Sequence, residues 1–128
     1  MAIEEKSVHQ RATDSYIKAF TTVFATGGTR GTPVDLDGRT PVRIHMPSTW
    51  INTQSTLLHI QLSTGGTTYQ DMWSANTAYT VAVAKSKAVV LDTSKFWGVN
   101  YIRLHSTLAR GTAATQHYGV VTIIARVI

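Results

Sequence analysis

The chain has 128 residues, of which 43% are hydrophobic, only 15% are charged and none is cysteine. That length suits one domain with one core, and the lack of cysteine excludes disulfides, thiolate catalysis and cysteine-held zinc or iron–sulfur groups. Twelve Lys and Arg against seven Asp and Glu give a formal charge of +5, but the basic residues are scattered, which argues against specific nucleic-acid binding.

The charged fraction falls below the usual figure of about 25%. Thr, Ser, Asn and Gln supply much of the polar surface instead, and Thr is β-branched and favours strands. The first residues, Met1-Ala2-Ile3-Glu4-Glu5-Lys6, carry charge and no apolar stretch of the secretory kind. No apolar run approaches the ~20 residues of a spanning helix. The expectation is a protein made in the cytoplasm, with no membrane partner.

Residues 1–14 are polar and mixed in charge. They read either as a frayed terminus or as an arm that orders on a partner. In Ser15–Ala25, Tyr16, Phe20 and Phe24 recur every four residues, a helical spacing that also fits one face of a strand with Ile17, Ala19 and Val23 opposite. Aromatic and β-branched content favours the strand. Thr26-Gly27-Gly28-Thr29-Arg30-Gly31-Thr32-Pro33 is a loop. Short extended segments follow at Val34–Asp37 and Pro41–Met46, separated by the turn Asp37-Gly38, with Pro33 and Pro41 suited to strand starts or edges.

The middle of the chain alternates more regularly. Ser55–Ser63 places Leu58, Ile60 and Leu62 on one face and His59 and Gln61 on the other. Thr64-Gly65-Gly66-Thr67 reads as a hairpin turn. The chain returns over Thr68–Trp73, turns at Ser74–Thr77, and alternates again through Tyr79, Val81 and Val83. Lys85-Ser86 interrupts before a strand at Lys87–Asp92. Lys95-Phe96-Trp97-Gly98 is an aromatic turn. Asn100–Ser106 then alternates strictly, with Ile102 and Leu104 inward and Tyr101, Arg103 and His105 outward. Thr107–Gln116 is a loop of small residues. His117–Ile128 is apolar on both faces, as in a central or doubly covered strand. The sum is an all-β, single-domain β-sandwich or jelly roll of about eight or nine antiparallel strands over residues 15–128.

Catalytic chemistry finds little support. His9, His45, His59, His105 and His117 form no H-x-H or H-E-x-x-H motif, and the only glutamates are Glu4 and Glu5. Solvated or hydrogen-bonded strand histidines account for them, and no metal or other cofactor is expected. Asp35, Asp37, Asp71 and Asp92 sit in turns, and turn chemistry explains Asp37 and Asp92. No Gly-x-Ser-x-Gly elbow is present, and no helix with Lys-Ser/Thr follows either Gly-Gly pair, so neither cradles phosphate. The chain reads as a binding protein, not an enzyme. Trp50, Trp73 and Trp97 either cap the core or form a platform for sugar rings or a protein partner. The second option keeps a carbohydrate- or receptor-binding module as the alternative function.

Residues 44–104 carry a family likeness. A strand ending in Met46-Pro47 is followed by Trp50; Leu57–Ser63 leads into a Gly-Gly turn and Thr68-Tyr69-Gln70-Asp71; and Phe96–Leu104 precedes a final apolar strand. This pattern resembles the jelly-roll capsid decoration (cement, auxiliary head) proteins of tailed bacteriophages. Thr64-Gly65-Gly66 departs from it, because that hairpin usually reads Asp-Gly after Ser. The resemblance implies a non-enzymatic virion protein on the capsid exterior, often a homotrimer, that binds the major capsid protein and stabilises the lattice. In such a protein Pro47 would end a strand and Trp50 would close the sandwich. Low charge and many Thr would suit a surface covered by neighbours, and the positive balance would suit an acidic capsid. The candidate interface residues are Lys6 and Arg11 in the arm and Arg30 and Arg110 in Gly-Thr loops. Solvated loop arginines are the plain alternative for the last two.

Overall fold

Alternation of inward and outward side chains sets every long strand. The computed structural model describes residues 16–25, 29–50, 56–106 and 119–127. In β1 (Ile17–Phe24) Phe24 and Thr22 are buried while Ile17, Ala19, Thr21 and Val23 face out. The helical alternative for this segment is thus not taken. Its four-residue aromatic spacing coincides with the strand period of two, and β-branched content decides between them.

The remaining strands are β2 (Val34–Asp35), β3 (Thr40–His45), β4 (Thr56–Ser63), β5 (Gln70–Asp71), β6 (Trp73–Ser74), β7 (Thr77–Ala78), β8 (Thr80–Val83), β9 (Ala88–Val90), β10 (Tyr101–Ser106) and β11 (Gly119–Arg126). A 3-10 turn, Thr93–Phe96, lies between β9 and β10. The strands form a four-stranded sheet, β1-β11-β3-β9, and a five-stranded sheet, β2-β10-β4-β5, in which β8 also pairs with β4. β6 and β7 form a separate hairpin. All these pairings are antiparallel. The expected β-sandwich is the fold, and its long strands lie where alternation put them.

Both sheets feed one core. Phe24, Ile44, Val121 and Ile123 from the four-stranded sheet meet Leu58, Ile60, Ile102 and Leu104 from the five-stranded sheet. Each such side chain stabilises the fold by roughly 1.5–3 kcal/mol when fully buried, before ordering entropy is subtracted. Trp50 lies wholly inside and forms a T-shaped pair with Phe24, with ring centroids 5.2 Å apart and planes at 85°. Tyr79 meets the buried Phe96 in the same manner at 5.5 Å. Phe96 is delivered by the 3-10 turn, whose start is capped by Asp92 Oδ1 accepting from Ser94 N at 3.2 Å and Ser94 Oγ at 2.7 Å.

Local turn chemistry moves the chain between layers. Asp37 and Gly38 both have positive φ, 53° and 74°, and Arg39 N–H closes the turn on Leu36 O at 3.0 Å. Asp35 Oδ1 accepts from Asp37 N at 2.9 Å. This corner carries the chain from β2 in one sheet to β3 in the other. Ala75 and Asn76 (φ 52° and 69°) make the two-residue turn of the β6–β7 hairpin, the primed geometry that matches strand twist. Pro41, which has no N–H to donate, sits where the β3–β11 register shifts beside Ala125, as a missing ladder donor requires.

One short segment joins the two layers at their margin. Gly31 N bonds to Leu104 O (2.9 Å) and Ser106 N to Thr29 O (2.7 Å) on β10, while Thr32 N bonds to Val23 O (3.2 Å) on β1. Gly31 also bridges to Phe24, and Arg30 to His105. Thr22, fully buried, donates its hydroxyl to Thr32 O at 2.7 Å. Gly31 is required because a Cβ there would collide with Thr22 Oγ1 and press on the Phe24 ring.

Among the described residues no helix is long and apolar enough to cross a membrane.

Candidate functional site

The sandwich presents two outer faces of opposite character. Register pairs fix the first, on the four-stranded sheet. Val23 lies beside Val120, Thr21 beside Thr122, Ala19 beside Ile124 and Ile17 beside Arg126. Thr122 and Ile124 continue to His45 and Arg43 on β3, and these continue to Ala88 and Val90 on β9. Val90 is 82% exposed, and Ile17, Val23 and Val120 are about half exposed. No Asp or Glu occurs in any of the four strands. Among the described residues, the full charges that register places on this face are Arg43 and Arg126. Arg43 donates through Nε to His45 Nε2 at 2.9 Å, and the Arg126 guanidinium stands 5.0 Å from the Tyr16 ring. An aliphatic and threonine surface edged by cations suits protein contact.

The second face, on the five-stranded sheet, is polar and laid out in rows across strands. One row runs Asp35, Tyr101, Ser63; the next Arg103, Gln61, Asp71; the third Arg30, His105, His59, Thr80. The middle row is chained by hydrogen bonds. Arg103 Nε donates to Gln61 Oε1 at 2.8 Å, and Gln61 Nε2 donates to Asp71 Oδ1 at 2.9 Å. Tyr69 lies against the Arg103 guanidinium, 4.5 Å from carbon to ring centroid, a cation–π contact that fixes the fork in orientation. At the turn end, Gly66 approaches the Tyr101 ring so closely that a Cβ would stand 3.1 Å from it.

Electrostatics of this second face are positive toward the third row. Burial pushes the His105 imidazole below its ordinary pKa, and Arg30 beside it adds to the shift. Burial also raises the Tyr69 phenol, against the opposing pull of Arg103. Among the described residues no ion pair neutralises Arg30 or Arg103. Two buried polar atoms on this side, His59 Nδ1 and Tyr69 OH, have no hydrogen-bond partner among the described residues.

No protein-family model matches this chain, and neither does any curated protein. Among solved structures it is similar to the mitogen derived from Yersinia pseudotuberculosis, with 11% identity over 90% of this chain and 88% of that one and a TM-score of 0.33. A likeness of that degree bears on neither function nor partners.

Of the sequence-predicted interface residues, Arg30 is exposed and bridges to His105 at the margin of the polar face. Lys6, Arg11 and Arg110 lie outside the described residues. The three tryptophans divide: Trp50 is buried, whereas Trp73 and Trp97 are 63% and 68% exposed. Sequence reasoning placed Tyr101, Arg103 and His105 outward but did not join them to Gln61 and Asp71 as a site. The available signal was the pairing of two alternating strands with polar residues in matching phase.

Among the described residues no group of three or more His, Asp or Glu is placed to hold a metal ion. A groove of about 580 Å³ lies between the Thr64–Thr68 turn and the loop Gly98–Asn100, with Leu62, Ser63 and Gln70 on its walls. Its lining residues, which carry hydroxyl and amide groups, include no titratable side chain.

Proposed function

We propose that this protein is a non-enzymatic virion structural protein, a head decoration protein of a tailed bacteriophage, that docks on the outer capsid lattice through its four-stranded sheet. The observation that carries the reading is the outer face of β1, β11, β3 and β9. It combines half-exposed Ile17, Val23 and Val120 and largely exposed Val90 with Arg43 and Arg126, and its four strands carry no carboxylate. Such a face loses apolar area to a protein partner favourably, and its cations, which no described carboxylate pairs, favour an acidic surface. The pattern of residues 44–104 supplies the choice of partner, the major capsid protein, and of a homotrimer as the free state.

The test is sedimentation velocity of the protein alone and with undecorated capsids. Saturable co-sedimentation at a lattice-defined ratio is the expected result. Val23→Glu and Val120→Glu, at a directly paired position on the proposed docking face, should abolish it while circular dichroism stays that of the parent. Failure of the parent protein to bind capsids, or full binding by both folded variants, overturns the proposal.

A further inference from the structure

The outer face of the five-stranded sheet carries hydrogen-bonding equipment that capsid docking on the opposite sheet does not use. Its middle row is prearranged. Arg103 is held by Gln61 through Nε and by the Tyr69 ring, which leaves its η N–H groups without a hydrogen-bond partner among the described residues. Those groups form the planar fork that matches a carboxylate or sulfate. One row away, Arg30 and His105 bridge at backbone level, and His105 faces His59 with ring centroids 6.1 Å apart. Four cationic or protonatable side chains thus crowd a small area. Asp71, in the middle row, is the acid within reach of His105, and its Oδ1 already accepts from Gln61.

The acceptor side of the same row narrows the ligand. Asp71 is exposed and, with Asp35 in the first row, supplies acceptors for which a phosphodiester backbone has no donor. An extended peptide would seek apolar pockets, and the apolar side chains on this face are Leu57 and Ala82 at its far end. A hydroxyl-rich ligand that carries anionic groups among its hydroxyls uses both sets of groups. Its anionic group meets the Arg103 fork and Arg30, and its hydroxyls donate to Asp71 and accept from His105, while Gln61 holds Arg103 and Asp71 in place from beneath.

We infer that the polar face built by Arg103, Gln61, Asp71, Arg30 and His105 is a binding site for an acidic saccharide, one whose sugars carry carboxylate or sulfate groups. The inference does not depend on capsid docking. It gives the carbohydrate-binding alternative a site apart from the exposed tryptophans.

The test uses the full-length protein and isothermal titration with two probes, an oligogalacturonate and a sulfated galactan oligosaccharide. Neutral maltotetraose and polyaspartate serve as controls. Saturable binding to at least one acidic sugar is expected, with the better probe identifying carboxylate or sulfate as the recognised group. Arg103→Gln should weaken binding about tenfold or more, as loss of a charged hydrogen-bonding partner does. Asp71→Asn, which keeps a hydrogen-bond acceptor toward Gln61, should weaken it too. Lys95→Gln, on the 3-10 turn that packs against β3 of the other sheet, should leave it unchanged. Amide and side-chain chemical shifts should move on β4, β5 and β10 and stay fixed on β1 and β11. No binding to either acidic sugar overturns the inference, as does equal affinity for polyaspartate. Equal weakening by Lys95→Gln and Arg103→Gln also overturns it, since bulk charge would then be the cause.

Discussion

The rings of Trp50 and Phe24 stand nearly perpendicular at a centroid separation of 5.2 Å, and both are sealed from solvent. Phe24 ends β1 and Trp50 follows β3, so the pair couples the outer margin of the four-stranded sheet to the chain that leaves its interior. Edge-to-face geometry adds about 0.5–1.5 kcal/mol beyond area burial. Trp50→Ala is expected to cost about 3–5 kcal/mol, measured by urea unfolding, with Trp50→Phe costing clearly less. In a Trp73→Phe, Trp97→Phe background the remaining indole should emit in the blue and resist acrylamide. Red, easily quenched emission would contradict the buried position.

Gly31 has no room for a side chain between Thr22 and Phe24. Gly31→Ala should lower stability by about 1–3 kcal/mol, the usual cost of forcing volume into a packed site. A control, Gly65→Ala, adds a methyl where nothing lies within 4 Å and should change the unfolding midpoint little. Equal effects of the two substitutions would show that the approach of residues 29–32 to β1 is looser than described.

His105 confers a pH dependence with a definite sign. Its folded-state pKa lies below the ordinary value because burial and then Arg30 disfavour the cation. The unfolded chain therefore binds the proton more readily, and stability is fully present above about pH 6.5 and declines as pH falls toward the folded pKa. Thermal unfolding across pH 5 to 8 should show this decline, and His105→Gln should flatten it. A variant with an unchanged slope would assign the effect to the other histidines.

Gln61 is a buried amide whose two ends are both engaged, by Arg103 and Asp71. A double-mutant cycle of Gln61→Ala and Arg103→Ala should give a coupling of about 0.5–1 kcal/mol, since contacting residues in one hydrogen-bond chain are not additive. Additive effects would mean that water serves either partner as well.

The long strands could be read from the chain because a half-buried strand writes its phase at every second residue. Asn100–Ser106 and Ser55–Ser63 show this plainly, and Ile102, Leu104, Leu58 and Ile60 are all buried. Turns announced by residue type, Asp37-Gly38 and Ser74–Thr77, were legible for the same local reason. Partnerships across strands were not. Arg103 and Gln61 are 42 residues apart, and only the register of β4 against β10 makes them neighbours. The attachment of Thr29–Thr32 to both β1 and β10 has no periodic trace either, since two residues of the stretch serve different strands. Tryptophans at strand ends carry no phase, which is why Trp50 could not be told from Trp73 and Trp97. The final strand was legible as central, and it does lie between β1 and β3. Among the described residues no second layer packs over its outer side, where Val120 is about half exposed.

The Thr29–Thr32 segment, whose amides and carbonyls bond into both sheets, changes how the molecule can breathe. Neither layer can fray by itself at that margin, because release of β10 there also releases β1. The amide hydrogens of Gly31, Thr32 and Ser106 consequently exchange with solvent only in openings that separate the layers together. The margin of the sandwich, ordinarily its loosest part, is then held to the same opening event as its centre.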